Sequence, residues 1–457
     1  MRQRVSAALA PLFVSRSLPG WTIIVLLVVI VVSGGALRGL AAAHPDRTYV
    51  SQDARSYALL ATSLTRGHYH QRRNSNDLRW PPGAPAFFAV AAKLDPSSPA
   101  AGEPTDIPAA YWLQALVSTA TLLLVFALGA VLAGPVAGLI AAALIAFYPP
   151  LIAINGSLMS ETLGAGLATA AALLLLLALR ARSGRLYAGA GFVFGLLVLT
   201  RTDFLLAIAI VALVIAFAAW REGRGAALRR VGAFAGVALL VLLPWAAYAS
   251  HRAGSLVPVT TGSAPPAFIG TYLPGDGTTV GLKKALEPQI RKRFPEYRTT
   301  KIYKIPASTA LKIIAARHPE LTRDDALKRE TRHNLVKYGL GDPVSFTGMM
   351  LSKVGRMWGK YYRGGGVHYI SAVTRTFQWV LVALSVIGLA GLLARRRMTA
   401  PFAVIFLIVL YSTLLHAIVV SQARYNLPLM PMFVAAGVAA LAVAFSKRRS
   451  VQETVSP

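Results

Sequence analysis

The sequence predicts an all-α polytopic membrane protein with about ten membrane-spanning helices. Three observations predict it: composition, many long apolar runs, and basic turns at every second boundary between those runs. Of the 457 residues, 55% are hydrophobic and 14% are charged, and the mean hydropathy is +0.55. Soluble domains carry about 25% charged residues, so this balance is that of a membrane chain. Length alone would allow two or three soluble domains, but the apolar runs are too long and too many. The net charge is +29, from 47 basic and 18 acidic residues. In a membrane chain such a charge marks flanking anchors and contacts with anionic membrane lipids. No DNA- or RNA-binding motif accompanies it, so no nucleic-acid partner is expected. There is no cysteine, which excludes disulfides and thiol chemistry.

The first apolar run begins at Trp21, after Arg2, Arg4 and Arg16, and continues to Leu40. It shows no clear small-residue cleavage site and reads as a span rather than a removed leader. Later runs cover roughly 109–131, 135–153, 161–179, 187–200, 203–220, 231–248, 374–394, 400–420 and 427–445, with Gly134-Pro135 as the breaker between two of them. Basic residues follow the fourth run (Arg180, Arg182, Arg185), the sixth (Arg221, Arg224, Arg229, Arg230), the eighth (Arg395, Arg396, Arg397) and the tenth (Lys447, Arg448, Arg449). That alternation matches a chain with both termini in the cytoplasm of a plasma or inner membrane.

Two long segments then fall on the outer side: 43–108, and about 249–372. The organisation expected is a core over 1–248 that includes the 43–108 loop, an extracytoplasmic loop or lid over 249–372, and C-terminal spans with a short cytoplasmic tail over 373–457. In the first loop, Ala54, Tyr57, Ala58, Ala61 and Leu64 have helical spacing. Ala84 to Leu94 is apolar but too short to span, so both stretches read as interfacial helices. The second loop reads as extended and Gly/Pro-rich from Leu256 to Gly281, then helical over about 283–294, 307–317 and 322–338. Between Lys283 and Lys337 it carries 15 Lys/Arg against 6 Asp/Glu, a basic surface that suits an anionic acceptor, lipid headgroups or a solvated lid.

The residues that can carry chemistry cluster at the outer boundaries. Asp53 stands in Asp53-Ala54-Arg55-Ser56-Tyr57, four residues from Tyr57 and therefore on the same helix face. It suits an N-cap, a general base toward an acceptor hydroxyl, or both at once. Arg79 precedes the rigid turn Trp80-Pro81-Pro82-Gly83, where a turn alone needs no arginine; a guanidinium binds phosphate through its fork. Glu161 opens the fourth run beside Ser160, as a solvated boundary residue, a support for a metal or an orienter of a neighbouring arginine. Arg201, in Thr200-Arg201-Thr202-Asp203, either pairs with Asp203 or serves a lipid-linked phosphate. Arg424, in Gln422-Ala423-Arg424-Tyr425, is a third arginine facing outward against the positive-inside trend. His68 and His70 lack a carboxylate partner and make a weak metal site, and Asn155-Gly156-Ser157 is a cheap match to a glycosylation sequon.

Taken in order, Asp53 with Tyr57, Arg79 with Pro81-Pro82-Gly83, Ser160-Glu161, Thr200-Arg201, and Arg424-Tyr425 with Pro428 and Pro431 make the chain resemble the GT-C membrane glycosyltransferases. Within them it is similar to the branch of protein O-mannosyltransferases and the lipid A aminoarabinose transferase, over most of 20–445. The resemblance implies a polyprenyl- or dolichyl-phosphate-linked sugar as donor. It implies a catalytic carboxylate that maps onto Asp53, and donor-phosphate binding by Arg79, Arg201 and Arg424, supported by Arg55, Tyr57, Glu161 and Tyr425. Some relatives hold a divalent cation near the site. Here the acidic position is Asp-Ala rather than two adjacent carboxylates, which weakens that expectation. No sugar-binding module follows the seventh run, which leaves the acceptor open among glycan, lipid and protein. The competing class, a transporter or lipid flippase, would place ionisable residues near the midplane rather than at the outer boundary.

Overall fold

The structure, a computed structural model, describes residues 18–46, 51–70, 78–94, 106–362 and 371–446. Arg2, Arg4, Arg16, Lys447, Arg448 and Arg449, and parts of the first loop, lie outside the described residues. Among those described there is no strand.

Each of the ten apolar runs is helical, in three different ways. Among the described residues, seven helical segments are long and apolar enough to cross a membrane. They contain α1 (Gly20–Ala43), α4 (Pro108–Ala133), α7 (Ser160–Ala181), α9 (Ala207–Ala219, extended by short 3-10 turns), α10 (Arg224–Val231) continuing through a π turn into α11 (Val237–Ala253), α18 (Ser371–Ala394) and α19 (Ala400–Ile418). The third run is a broken span. Helix α5 (Pro135–Ala146) and the short α6 (Pro149–Ala153) meet at a 62° bend, because Pro149 and Pro150 supply no N–H and force Tyr148 into extended backbone. The fifth and tenth runs are the shorter helices α8 (Gly184–Thr200) and α20 (Met430–Phe445).

Burial explains the short α20. It is enclosed on nearly every side, packed against α18, α4 and α5, so it sits inside the bundle rather than against lipid. A Cβ on Gly437 would lie 2.4 Å from Ser385 Cα, and one on Gly388 would lie 2.5 Å from Gly437 O, so small residues let α18 and α20 approach closely. Helices α1 and α11, by contrast, leave most of their apolar surface outside the protein core, as lipid-facing spans do. Buried Arg38, near the end of α1, closes the break in α5. Its guanidinium donates to Ala146 O at 2.9 Å, Ile145 O at 3.1 Å and Ser118 Oγ at 2.8 Å, satisfying carbonyls that the helix end leaves open.

The two ends of the bundle differ. At one end the turn after α7 meets the turn after α9, where Glu222 lies 3.3 Å from Arg182 and 2.5 Å from Arg230. The other end carries the loop segments. There α2 (Gln52–Leu64) and α3 (Gly83–Leu94) pack together. The long loop folds as α12 (Ala264–Thr271), α13 (Thr279–Ala285), α14 (Glu287–Arg293), α15 (Ala307–Ala315), α16 (Arg323–Asn334) and α17 (Pro343–Gly359). It has its own small core, with Phe268, Leu282, Leu311, Ile314 and Leu327.

One expectation is corrected here, and one helix is added. The stretch 256–281 is not extended throughout: it contains α12 and the start of α13, because Pro265 and Pro266 fall in a first turn that needs no N–H. And α17, capped by the Asp342 carboxylate on Ser345 N at 3.1 Å, follows the three helical stretches expected.

Candidate functional site

The loop end of the bundle holds a cleft of 1870 Å³, and every site residue read from the sequence lines it: Asp53, Arg55, Tyr57, Arg79, Glu161, Arg201, Arg424 and Tyr425. Each is set by a helix end. Asp53 lies in the first turn of α2, where the cap is Ser51, whose Oγ accepts from Ala54 N at 3.1 Å. The N-cap reading of Asp53 therefore fails, and its carboxylate lines the cleft instead. Glu161 is in the first turn of α7, Arg201 ends α8, and Arg424 sits in the 3-10 turn Ala423–Asn426 between α19 and α20.

These side chains form one ion-pair network. The Arg424 guanidinium donates to Asp53 Oδ2, joining residues 371 positions apart. Arg424 Nε also lies 3.7 Å from Glu161 Oε1 and donates to Gln422 Oε1 at 2.9 Å. The same Glu161 oxygen is 3.4 Å from Arg201 Nη1, and Arg201 Nη2 is 3.2 Å from Asp203 Oδ2. Glu161, 2% exposed, is thus the hinge between the two arginines, and its Oε2 is buried without a hydrogen-bond partner. Glu161 contacts both guanidiniums, the geometry that the arginine-orienting reading needs.

The electrostatics follow from burial. Desolvation opposes the charge on Arg424, but the carboxylates of Asp53 and Glu161 more than offset it and its pKa is raised. Arg201 behaves likewise with Asp203 and Glu161. Burial, then the negative charges of Asp53 and Glu161, push the Tyr57 phenol up, so Tyr57 presents a neutral hydroxyl. Tyr425 stands by both cations, its ring centre 5.8 Å from the Arg201 guanidinium and 5.6 Å from that of Arg424.

Arg79 stands apart from this network. It lies over Trp80 at 5.6 Å, and Trp80 meets Tyr57 edge-on at 5.4 Å. Arg55 is exposed at the cleft lining. His416, missed in the sequence because it ends an apolar run, lies 3.8 Å from Asp203 and 4.7 Å from the Tyr425 ring. A histidine inside an otherwise apolar span was the available signal. His68 and His70 stack on each other, with no third ligand among the described residues, and Asn155 is buried.

A divalent cation does not fit these residues. Asp53, Glu161 and Asp203 are each engaged by guanidinium, and among the described residues no group of three or more His, Asp or Glu side chains converges on a metal position.

Residues 81–250 match the family model described as dolichyl-phosphate-mannose-protein mannosyltransferase. That stretch holds Glu161 and Arg201 but not Asp53, Arg79 or Arg424. Curated protein sequences give no match. Among solved structures, the chain is similar to the apo oligosaccharyltransferase of Archaeoglobus fulgidus, at 16% identity and TM-score 0.53, over 92% of this chain and 50% of that one. The archaeal oligosaccharyltransferase AglB from Archaeoglobus fulgidus, in complex with an inhibitory peptide and a dolichol-phosphate, also gives 16% identity and TM-score 0.53, over 93% of this chain and 50% of that one. The chain therefore spans about half the length of those proteins. ArnT from Cupriavidus metallidurans gives 15% identity over 93% of this chain and 77% of that one, at a TM-score of 0.38 that adds nothing to the fold argument. The fold is that of the GT-C membrane glycosyltransferases.

Proposed function

We propose that this multi-pass protein of GT-C fold moves a sugar from a polyprenyl-phosphate donor to an acceptor hydroxyl, with inversion, on the extracytoplasmic face. The observation that carries the reading is the Asp53–Arg424 pair in the cleft. A base for the acceptor and a cation for the leaving phosphate stand in one cleft, where a single substrate can reach both.

The acceptor oxygen attacks the anomeric carbon, the bond from that carbon to the phosphate oxygen breaks, and the polyprenyl phosphate leaves with the electron pair. The acceptor proton passes to Asp53. Arg424 and Arg201 are the donor-phosphate cations, each exchanging part of its carboxylate contact for phosphate as charge develops. When Arg424 turns to the phosphate it releases Asp53, whose basicity rises at the moment a base is needed. Tyr57 donates its hydroxyl into the site, and Glu161 keeps both arginines aimed. No step uses a metal.

The experiment is turnover of undecaprenyl-phosphate-linked sugar by purified protein. Asp53→Asn should lose at least about 100-fold in kcat, the usual size of a general-base contribution. Arg424→Ala and Arg201→Ala should raise the donor Kd. Wild-type turnover in Asp53→Asn would end the base assignment, and unchanged donor binding in both arginine variants would end the phosphate site.

A further inference from the structure

His416 is a buried polar group that the transfer mechanism does not use. It is 4% exposed, stands two residues before the end of α19, and is the one histidine in the cleft lining among the described residues. An imidazole buried in an apolar span costs free energy unless its polar atoms are satisfied, so the position is a functional candidate. Its Nδ1 lies 2.8 Å from Ser412 O, an atom that only accepts, so Nδ1 carries the ring hydrogen. In the neutral ring Nε2 is then an acceptor. It faces Asp203 Oδ2, a second acceptor, across 3.8 Å, too long for a hydrogen bond.

This pair is not what fastens the Thr202–Phe204 turn to α19. The Tyr411 hydroxyl of α19 already does so, donating to Asp203 O at 2.8 Å. The gap is also placed for a ligand. Asp203 Oδ2 stands 3.2 Å from Arg201 Nη2, and the Tyr425 ring lies 4.7 Å from the His416 ring, centre to centre. Asp203, His416, Arg201 and Tyr425 all line the cleft. An anion at the gap is repelled by the Asp203 carboxylate, and a cation by the Arg201 guanidinium beside it. A neutral ligand with hydroxyl hydrogens to give suits both acceptors.

We infer that Asp203 and His416 form a clamp for the donor sugar, one carboxylate oxygen and one imidazole nitrogen accepting from two hydroxyls on adjacent carbons of its ring. The inference rests on the lipid-phosphate donor reading and adds how the sugar on that phosphate is held. Adjacent hydroxyls donating at about 2.7–2.8 Å each reach two acceptors at such a spacing. A phosphate on Arg201 sets the attached ring beside Asp203, because guanidinium and carboxylate are already in contact. The clamp therefore selects donors whose sugar keeps a free vicinal diol.

The test is binding of undecaprenyl phosphodiesters of mannose, glucose and arabinose to full-length protein in phosphatidylcholine nanodiscs, against undecaprenyl methyl phosphate. The methyl ester keeps the single diester charge and lacks a sugar. In the wild type at least one sugar ester should bind about tenfold or more tightly than the methyl ester, as two buried hydrogen bonds supply. His416→Phe keeps a ring beside Tyr425 and removes Nε2. It should cut that preference about fivefold or more. The methyl ester should bind it as it binds the wild type, which also shows that the site is folded. His416→Gln restores an acceptor and should recover part of the preference. Asp203→Asn should cut the preference too, whatever it does to both esters through Arg201. A preference unchanged in both His416→Phe and Asp203→Asn overturns the clamp. So does an equal loss for sugar and methyl esters in His416→Phe, which would make His416 an aid to the phosphate cations alone. Wild-type protein that binds the methyl ester but prefers none of the three sugars overturns the clamp and leaves the donor reading standing. Wild-type protein that binds no ester at all overturns the lipid-phosphate donor, and the clamp with it.

Discussion

Glu161 decides how the two inner arginines behave. Its single bridging oxygen lies within 3.7 Å of both, and it is the carboxylate that makes the cluster's charge negative rather than balanced. Glu161→Gln keeps the shape, leaves Arg201 with Asp203 and Arg424 with Asp53, and removes one unit of negative charge. Undecaprenyl phosphate should then bind more tightly, on the order of tenfold, because one repulsive charge nearby is worth roughly a kcal/mol or more at this burial. The variant should also be less stable by about 1–3 kcal/mol, since buried guanidinium loses a partner. Weaker phosphate binding in Glu161→Gln would show that the charge of Glu161, and not only its shape, is needed to aim the arginines. The candidates themselves were legible, because an arginine or carboxylate beside an apolar run stands out. Their pairing was not: nothing in local spacing joins Asp53 to a residue 371 positions away. Arg79 shared the same signature as Arg201 and Arg424, and only the fold shows it on a different flank of the cleft.

At the scale of elements, α17 and the turn carrying Arg424 act together. Lys353 of α17 is fully buried, and its Nζ donates to Gly270 O at 2.7 Å, Val419 O at 3.1 Å and Ile418 O at 3.2 Å, the last two at the C-terminal end of α19. Ser421 Oγ donates back to Lys353 O at 3.1 Å, and Asn426 Nδ2 to Met357 O at 2.7 Å, so the turn between α19 and α20 hangs on α17. Burial, with Arg356 a turn away, pulls the Lys353 ammonium down to about 7. The unfolded chain holds that proton to about pH 10.4, so between these values it binds more protons than the folded one. Stability should therefore rise with pH from about 7 upward, by up to roughly 1.4 kcal/mol per unit, and the contribution should be flat below 7. Thermal unfolding in detergent across pH 6–9 measures it. Lys353→Met should remove that slope, and an unchanged slope would assign it to another group. Sequence could not single out Lys353, one more cation in a basic loop, nor see α17, whose helical register starts just past the expected stretch. The spans were legible because hydropathy reports lipid contact. The 135–153 run hid its bend because Pro149-Pro150 leaves the apolar count unchanged.

For the whole molecule, the reading stands on which side of the membrane the cleft opens. The turns bearing Arg182, Glu222 and Arg230 meet at one end of the bundle, and the turns bearing Asp53, Arg201 and Arg424 meet at the other. Lysine and arginine excess in short loops marks the cytoplasmic side, so the first end should be inside and the cleft outside. The proposed lipid-linked donor depends on that sidedness: sugar activated as a nucleotide is a cytoplasmic commodity, and a membrane-borne phosphate would bring the activation across. The chain has no cysteine, so a single introduced thiol reports position without background. Thr299→Cys, exposed on the long loop, should react with a membrane-impermeant maleimide on intact cells. Ser183→Cys, in the turn between α7 and α8, should react only after the membrane is opened. The reverse pattern would put the cleft in the cytoplasm, where a nucleotide sugar could serve directly and the polyprenyl-phosphate donor would lose its reason. Protection of both thiols until the membrane is opened would mean that the loop end is not outside at all, and the proposed outward acceptor would fall with it.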